Sequence, residues 1–440
     1  MALPWRRRAQ RNPSSRPDAC GLVLDVVVPA HFRCPISLDL MKDPVTLCTG
    51  ITYDRESIEQ WIESGNGTCP VTKRELTDWE IIPNHVIRKM IQAWCVENQG
   101  YGIERIPTPR IPVTSYEASE ACRRIEAGVA LGDARRCGEA VTRINMWEKE
   151  SERNRRCIRE SGAGVVLATA FDSFAWASIE KHSGLLEEIL SSLTWAYPNG
   201  HDGQDKLETS ASLNCILRFM NSDDLAVRKN AVLVLKEIVS SSDGCRETVS
   251  AFEGMAEALT RIIREPICPA STNASLASIY NLTSSRTFLT RALELGVIHL
   301  TLDLLVDSDK GTCERVLAVL DKVCDSREGR EAALRHALTM PILVKKILRV
   351  SNLATELSIS IIWKLLLRKD NDGLDDRTPT IIEAIRVGLF QKLLVFLQIG
   401  CGDDGIKKKV KDLLKLVNSY KDKVDCVDSS LDLKHINRSP

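Results

Sequence analysis

Four apolar pairs at spacing three punctuate the second half of the chain: Leu235/Ile238, Ile279/Leu282, Leu320/Val323 and Ile362/Leu365. Their first members lie 44, 41 and 42 residues apart. A second marker is a glycine that opens an apolar run. It recurs at Gly254, Gly296 and Gly388, with Thr339 in the slot between the last two, at intervals of 42, 43 and 49. A unit of this length holds two or three helices and cannot bury its own apolar face, so neighbours have to stack. The competing reading, an irregular helical domain, must treat both periods as coincidence.

A period of about 40 to 47 with two or three helices per unit predicts an armadillo/HEAT-type α-solenoid. Residues 221–427 carry the regular repeats. Residues 115–220 are helical by the same signs but hold the register poorly, with a break at Asn199 to Gln204; a second break spans Asn371 to Pro379. Ahead of the solenoid, Ile106-Pro107-Thr108-Pro109-Arg110-Ile111-Pro112 places three prolines in seven positions. Such a run cannot be helix and makes residues 103–114 a stiff extended linker. Residues 428–440 form a polar tail and residues 1–28 a basic one, with Trp5 and five arginines by Arg16 and no apolar core of a secretory signal. The Arg-rich start loosely matches a transit peptide, but a disordered tail is the preferred reading. The expected class is mainly α, with a small α+β module in front of the solenoid.

That module, residues 29–102, is the most informative part. Asp43 to Leu47 and Ile51 to Tyr53 read as strands around a Gly-containing turn. Asp54 stands where a helix with Ile58, Trp61 and Ile62 on one face would be capped, and Ser64-Gly65-Asn66-Gly67 stops it. Asn84 can cap a second helix with a buried stripe of Val86, Ile87, Met90, Ile91 and Trp94. About 70 residues is small for a self-supporting core, so something must staple it. Zinc fails on counting. A cross-braced double site needs eight Cys/His ligands around CxxC pairs, whereas the module has Cys34, Cys48, Cys69, Cys95, His31 and His85 and no CxxC. Cys34 is spaced with Ser37, and Cys69 with Thr72, so half of each would-be pair is a hydroxyl. No metal and no cofactor are expected. A hydrogen-bond and salt-bridge net of Ser37, Asp43, Thr52, Asp54, Arg55, Glu56 and Thr72 can take the metal's place.

The run HFRCPISLDLMKDPVTLCTGITYDRESIEQWI, then TCPVTK, then IIPNHVIRKMIQAWC resembles a U-box, the zinc-free relative of the RING. A U-box followed by armadillo repeats further resembles the plant U-box/armadillo ubiquitin ligases. The resemblance, and neither periodicity nor composition, implies ubiquitin chemistry. It implies a module that docks a ubiquitin-charged conjugating enzyme and repeats that hold the protein target. No catalytic nucleophile belongs to such a ligase. Carried over to this chain, the docking residues are Pro35 and Ile36 in the first loop, Trp61 on the central helix, and Pro70 and Val71 in the second loop. Lys73 or Arg74 stands where family members often carry a cation that touches ubiquitin and the conjugating enzyme together, and two adjacent cations leave that choice open. Each residue has a plainer reading: Ile36 and Trp61 as core, Pro70 as a turn former.

The alternative from another class is an armadillo scaffold whose U-box is catalytically silent. A thiol enzyme built on Cys48 or Cys69 lacks a histidine placed to activate it. There is no GxxxxGK[ST] and no HExxH. With 59 Lys+Arg against 59 Asp+Glu over 440 residues, nothing in the global charge calls for nucleic acid or an anionic membrane. No apolar run reaches transmembrane length. Fifteen scattered cysteines suit a reducing compartment, cytoplasm with the nucleus also open. The expected partners are a conjugating enzyme, ubiquitin and a protein substrate, and a homodimer stays open.

Overall fold

The computed structural model describes residues 28–106, 112–198, 201–241, 243–368, 377–400 and 402–420. Contacts divide the chain into two units, one up to Ile111 and one from Pro112. The basic tail before Val28, the core of the proline-rich linker, most of the break at Asn371 to Pro379 and the polar C-terminal tail lie outside the described residues.

In the first unit, β1 (Pro44–Thr46) pairs antiparallel with β2 (Thr52–Asp54) in the register Val45 to Tyr53. Gly50, at φ 79°, makes the turn between them, a backbone region open to glycine at little cost. A third short strand, β3 (Ile82–Pro83), closes the sheet in the order β2-β1-β3; the sequence reading did not foresee it. Helix α1 (Arg55–Glu63) follows β2 directly, and α2 (His85–Glu97) follows β3. The core gathers Phe32, Met41, Val45, Tyr53, Ile58 and Ile91, with Trp61 and Trp94 packed at its edge.

One local expectation needs correcting. The buried face of α2 is not the Val86/Met90 stripe, since Val86 is 70% exposed and Met90 46%. Of the expected stripe Ile91 is buried and Ile87 and Trp94 pack against the core; Cys95 is buried beside them, and Arg88 lies on the same face at helical spacing. In the first loop Leu38 is 69% exposed and sits in the left-handed region at φ 63°.

The second unit opens with α3 (Ser115–Leu131) and α4 (Ala134–Glu150). Triplets follow: α5 (Glu152–Glu160), α6 (Ala163–Ala177) and α7 (Ser183–Leu193); α8 (His201–Leu207), α9 (Ser210–Met220) and α10 (Leu225–Ser241). Next come α11 (Asp243–Ser250), α12 (Met255–Arg264) and α13 (Pro269–Leu282), then α14 (Arg286–Glu294), α15 (Val297–Asp307) and α16 (Lys310–Val323). The series ends with α17 (Arg327–Arg335), α18 (Thr339–Lys346) and α19 (Asn352–Leu367), and with α20 (Thr378–Arg386), α21 (Leu389–Ile399) and α22 (Asp404–Ser419).

The last helix of each unit packs on that of the next, so that α4, α7, α10, α13, α16, α19 and α22 form one ladder. All four apolar marker pairs lie in it and are buried, because each must face the preceding and the following unit at once. Three helices per unit is the armadillo form. The marker glycines are the corners before the middle helices: Gly254, Gly296 and Gly388 have φ of 84°, 80° and 90°. Thr339 turns its corner differently, donating its hydroxyl to the Ala333 carbonyl at 2.7 Å.

Behind the opening pair α3 and α4, the same three-helix order runs through residues 152–220, which the sequence showed only as irregular. Gly162, at φ 81°, caps α6 as the later glycines cap theirs, and in the next unit Thr209 caps α9 by accepting the Ser212 N–H at 3.1 Å. The expected break at Asn199 to Gln204 is cut short, since α8 begins at His201.

Candidate functional site

Two loops in the first unit are built alike. In the first, Cys34 N–H donates to the Asp39 carbonyl at 2.8 Å and Leu38 N–H to the Cys34 carbonyl at 2.8 Å. In the second, Cys69 N–H donates to Arg74 at 2.8 Å and Lys73 N–H to Cys69 at 2.9 Å. Each loop runs Cys-Pro-apolar-hydroxyl and then turns through a left-handed residue, Leu38 at φ 63° and Lys73 at φ 58°. The repetition follows from the sequence. Proline presets one corner, and the hydroxyl at Ser37 or Thr72 accepts a backbone N–H two residues on, at 3.4 and 3.5 Å.

Both loops are pinned to α1. Cys34 Sγ accepts the Asp54 N–H at 3.3 Å at the helix start, and Trp61 Nε1 donates to the Thr68 carbonyl at 2.8 Å near its end. Pro35 and Val71 are therefore held out in solvent, with Ile36, Pro70 and Trp61 half-buried beside them. Lys73 Nζ stands 5.9 Å over the Trp61 ring, a cation–π distance. Arg74 is exposed and is tied into the loop through its carbonyl.

The two cysteines counted as would-be zinc ligands act as hydrogen-bond acceptors at the base of the loops. Cys69 Sγ receives the hydroxyls of Tyr53 at 3.0 Å and Thr49 at 3.3 Å and the Thr72 N–H at 3.5 Å. Tyr53 Oη also accepts the Val71 N–H at 3.3 Å, so one buried phenol couples the sulfur to the second loop. Burial alone would raise the Cys69 thiol, but the hydroxyls of Thr49, Thr72 and Tyr53 and the Thr72 N–H outweigh it and bring it down to about 6. Burial likewise opposes Cys34, and the N–H groups of Ser37, Asp54 and Ile36 with the Ser57 side chain hold it below the ordinary thiol range. Burial pushes the Tyr53 phenol up, and its bond to Cys69 adds to the rise, so it stays a donor. Among the described residues no group of three or more His, Cys, Asp or Glu could hold a metal ion.

A depressed thiol pKa makes stability pH-dependent. The unfolded thiol titrates near ~8.5 and the folded one near 6, so the contribution is complete above the former and lost as pH falls through the latter. The urea midpoint of the first unit is expected to rise from pH 6 to about 8.5, with most of the rise absent in Cys69→Ala. An equally steep rise in that variant would remove Cys69 as its source.

Behind the loops lies a charged net centred on Asp43. Its carboxylate accepts Arg55 Nε at 2.7 Å and also pairs with Arg88. Asp54 accepts the N–H groups of Lys42 and Asp43, each at 2.8 Å. It is the residue before α1 but makes no side-chain cap bond, because its carboxylate is spent on the strand behind. Thr52 bonds Thr46 at 3.0 Å, and Asn84, which caps α2 through Ile87 N–H, reaches both threonines. Of the residues expected in a net, Asp43, Thr52, Asp54 and Arg55 are joined around the strands, whereas Ser37 and Thr72 serve their own loops. Glu56 is exposed in the first turn of α1, where a carboxylate favours the helix dipole, and lies outside the net. Sequence reasoning missed Arg88, Tyr53, Thr49 and Thr46. Arg88 was hidden because its partner Asp43 lies forty-five residues away in the sequence.

In the second unit polar side chains stitch the ladder together. Asn281 Nδ2 donates to Ser240 at 3.4 Å, and Thr312 to Asn273 at 3.2 Å. The buried Lys364 ammonium bonds Asp321 Oδ2 at 2.9 Å, the Asp321 carbonyl at 2.7 Å and Asp325 at 3.0 Å. No helix among the described residues is long and apolar enough to cross a membrane.

Comparison with known proteins agrees with this division. A family model described as "U-box domain" matches residues 28–100, and one described as "Plant U-box protein ARM repeat region" matches residues 117–437. U-box domain-containing protein 21 of Arabidopsis thaliana is 42% identical over 448 residues, covering 100% of both chains. U-box domain-containing protein 20 of the same plant is 42% identical over 450 residues, again with full coverage of both. The Arabidopsis E3 ubiquitin-protein ligase PUB23 is 32% identical, covering 89% of this chain and 93% of its own.

Proposed function

Because the chain belongs to the plant U-box proteins that carry an armadillo-repeat region, we propose that it is a ubiquitin-protein ligase. Its first unit docks a ubiquitin-charged conjugating enzyme, and its repeats hold the target. The observation that carries this reading is the pair of like-built loops pinned to the two ends of α1. They offer Pro35, Ile36, Pro70 and Val71 around Trp61 as a small apolar docking surface with its backbone already ordered. Preordered apolar and aromatic anchors are what interface hot spots require.

The transfer needs no nucleophile from this chain. The amine of the target lysine attacks the thioester carbonyl of ubiquitin, the isopeptide bond forms, and the thiolate of the conjugating enzyme leaves. The ligase brings the two reactants together and restrains the thioester, which converts a bimolecular encounter into an effectively unimolecular one. Between the two adjacent cations we assign the contact to ubiquitin and conjugating enzyme to Lys73. Its ammonium stands over Trp61 at the docking surface, while Arg74 carries the carbonyl that closes the loop.

The target-holding part is read as the face of the helix ladder, since stacked repeats generate one long surface from equivalent helices. The test is division of labour. With activating enzyme, conjugating enzyme, ATP and ubiquitin, full-length protein is expected to assemble chains, and residues 28–106 alone to do so as well. Deleting residues 115–420 is expected to abolish modification of the target and spare free-chain synthesis. Full-length protein that makes no chains with any of a panel of conjugating enzymes would leave the scaffold reading standing.

A further inference from the structure

The C-terminal end of the ladder differs electrically from the rest. Along the other repeats several arginines are paired with carboxylates: Arg291 with Glu257 and Glu294, Arg286 with Glu328, Arg327 with Glu331. Helix α22 instead carries Lys407, Lys408, Lys409, Lys411 and Lys415, and none has a carboxylate partner among the described residues. Lys408, Lys411 and Lys415 are exposed at spacings of three and four, so they share one face. Lys409 leans back onto α19, donating to Ser360 Oγ at 2.8 Å with its ammonium 5.7 Å from the Trp363 ring.

A row of ladder residues leads into this basic face. Tyr280, Asp321 and Trp363 each follow the first member of a marker pair by one residue, so they hold equivalent positions on α13, α16 and α19. Tyr280 is 43% exposed at that position. Further along the row, two polar atoms are shielded from water without a partner, Asp321 Oδ1 and Trp363 Nε1. An orphaned buried donor or acceptor costs about 1–3 kcal/mol, a cost that recedes when a ligand supplies the missing group. The Lys409 ammonium stands over the Trp363 ring, and an incoming carboxylate can draw it from Ser360.

We propose that this end of the ladder, from Tyr280 through Trp363 to Lys408, Lys411 and Lys415, binds an extended acidic peptide segment bearing an aromatic residue. The unpaired ammonium groups take its carboxylates, the rings of Tyr280 and Trp363 take the aromatic residue, and the indole N–H donates to a backbone carbonyl of the segment. Charge complementarity selects this occupant over a basic segment, because the five lysines of α22 outnumber Asp404 and Asp412 on the same helix. The inference rests on the reading of the repeats as the target-holding part, and its test scores binding separately from ubiquitin-chain formation.

The experiment is fluorescence anisotropy of full-length protein with a labelled twelve-residue peptide of Asp and Glu around one Phe. The comparison peptide has Lys and Arg in place of the acids. The acidic peptide is expected to bind at least about tenfold more tightly, with affinity falling steeply as salt shortens the screening length from about 10 Å at 0.1 M to about 3 Å at 1 M. The triple variant Lys408→Glu, Lys411→Glu, Lys415→Glu is expected to lose at least about tenfold, with unchanged circular dichroism and unchanged free-chain synthesis. Trp363→Phe, which keeps the ring and removes the N–H, is expected to lose several-fold. Equal binding of the basic peptide overturns the proposal, as does an unaltered triple variant. So does an oligonucleotide or anionic vesicle that binds while the acidic peptide does not. Loss of chain synthesis with peptide binding intact would count against the ligase reading and leave this one in place.

Discussion

Ile36→Ala is expected to lower ubiquitin-chain formation about thirtyfold, the effect of removing about 2 kcal/mol from a desolvated interface anchor, with the urea midpoint of the first unit nearly unchanged. Ile36 is half-buried at the tip of a loop whose shape is set by other groups, the Cys34 and Asp39 backbone bond and the Cys34 thiol. Truncating it therefore leaves the loop's fastenings in place. Trp61→Ala is a poorer probe, because Trp61 also holds the second loop through Thr68 and carries Lys73 on its ring. Its loss confounds docking with loop disorder. Val86→Ala, on an exposed apolar residue of α2, is the control and should leave chain formation unaltered. If Ile36→Ala keeps full activity with a conjugating enzyme that demonstrably needs the docking surface, the assignment of that surface is wrong.

The repeat period was legible in the sequence for a physical reason. A ladder helix must be apolar towards both neighbours, so Leu235, Ile279, Leu320 and Ile362 recur wherever a unit begins its contact with the next. The register became illegible upstream of residue 220 because the corner marker changed chemistry. Gly162 turns its corner with a left-handed backbone, and the next unit uses the Thr209 side chain as a cap; a search for glycine alone skips it. In the first unit the two loops were legible because Cys-Pro-Ile-Ser and Cys-Pro-Val-Thr write the same local geometry twice. The groups that hold them were not. Tyr53 reaches Cys69 across sixteen residues and Arg88 reaches Asp43 across forty-five, and no local pattern announces a bond of that span. The α2 stripe was misread for a related reason. Val86 and Met90 have the composition of a core face, but the face that docks on the sheet contains Arg88, whose burial makes sense only once Asp43 is in view.

That pairing supports the second large effect, Asp43→Ala. Asp43 is the acceptor for two guanidinium groups, and the side chains of Arg55 and Arg88 are 15% and 14% exposed. Removing the carboxylate leaves Arg88 shielded from water without an acid, its Nε already lacking a partner, and leaves Arg55 only its longer contact with Glu59 at 3.6 Å. Breaking a buried pair from one side costs about 3–5 kcal/mol, and a core of this size rarely supplies more than about 3–5 kcal/mol in all. The variant's first unit is therefore expected to be largely unfolded at physiological temperature, with chain formation lost. The armadillo unit, whose core is separate, should keep its own unfolding transition. Two-domain melting followed by differential scanning calorimetry reads both at once. Asp43→Asn keeps one hydrogen-bond acceptor and should fall between the two. A variant Asp43→Ala whose first transition is undisturbed would mean that the net of ion pairs is not what replaces a metal in this fold, leaving that role to the hydrogen bonds gathered on Cys34 and Cys69.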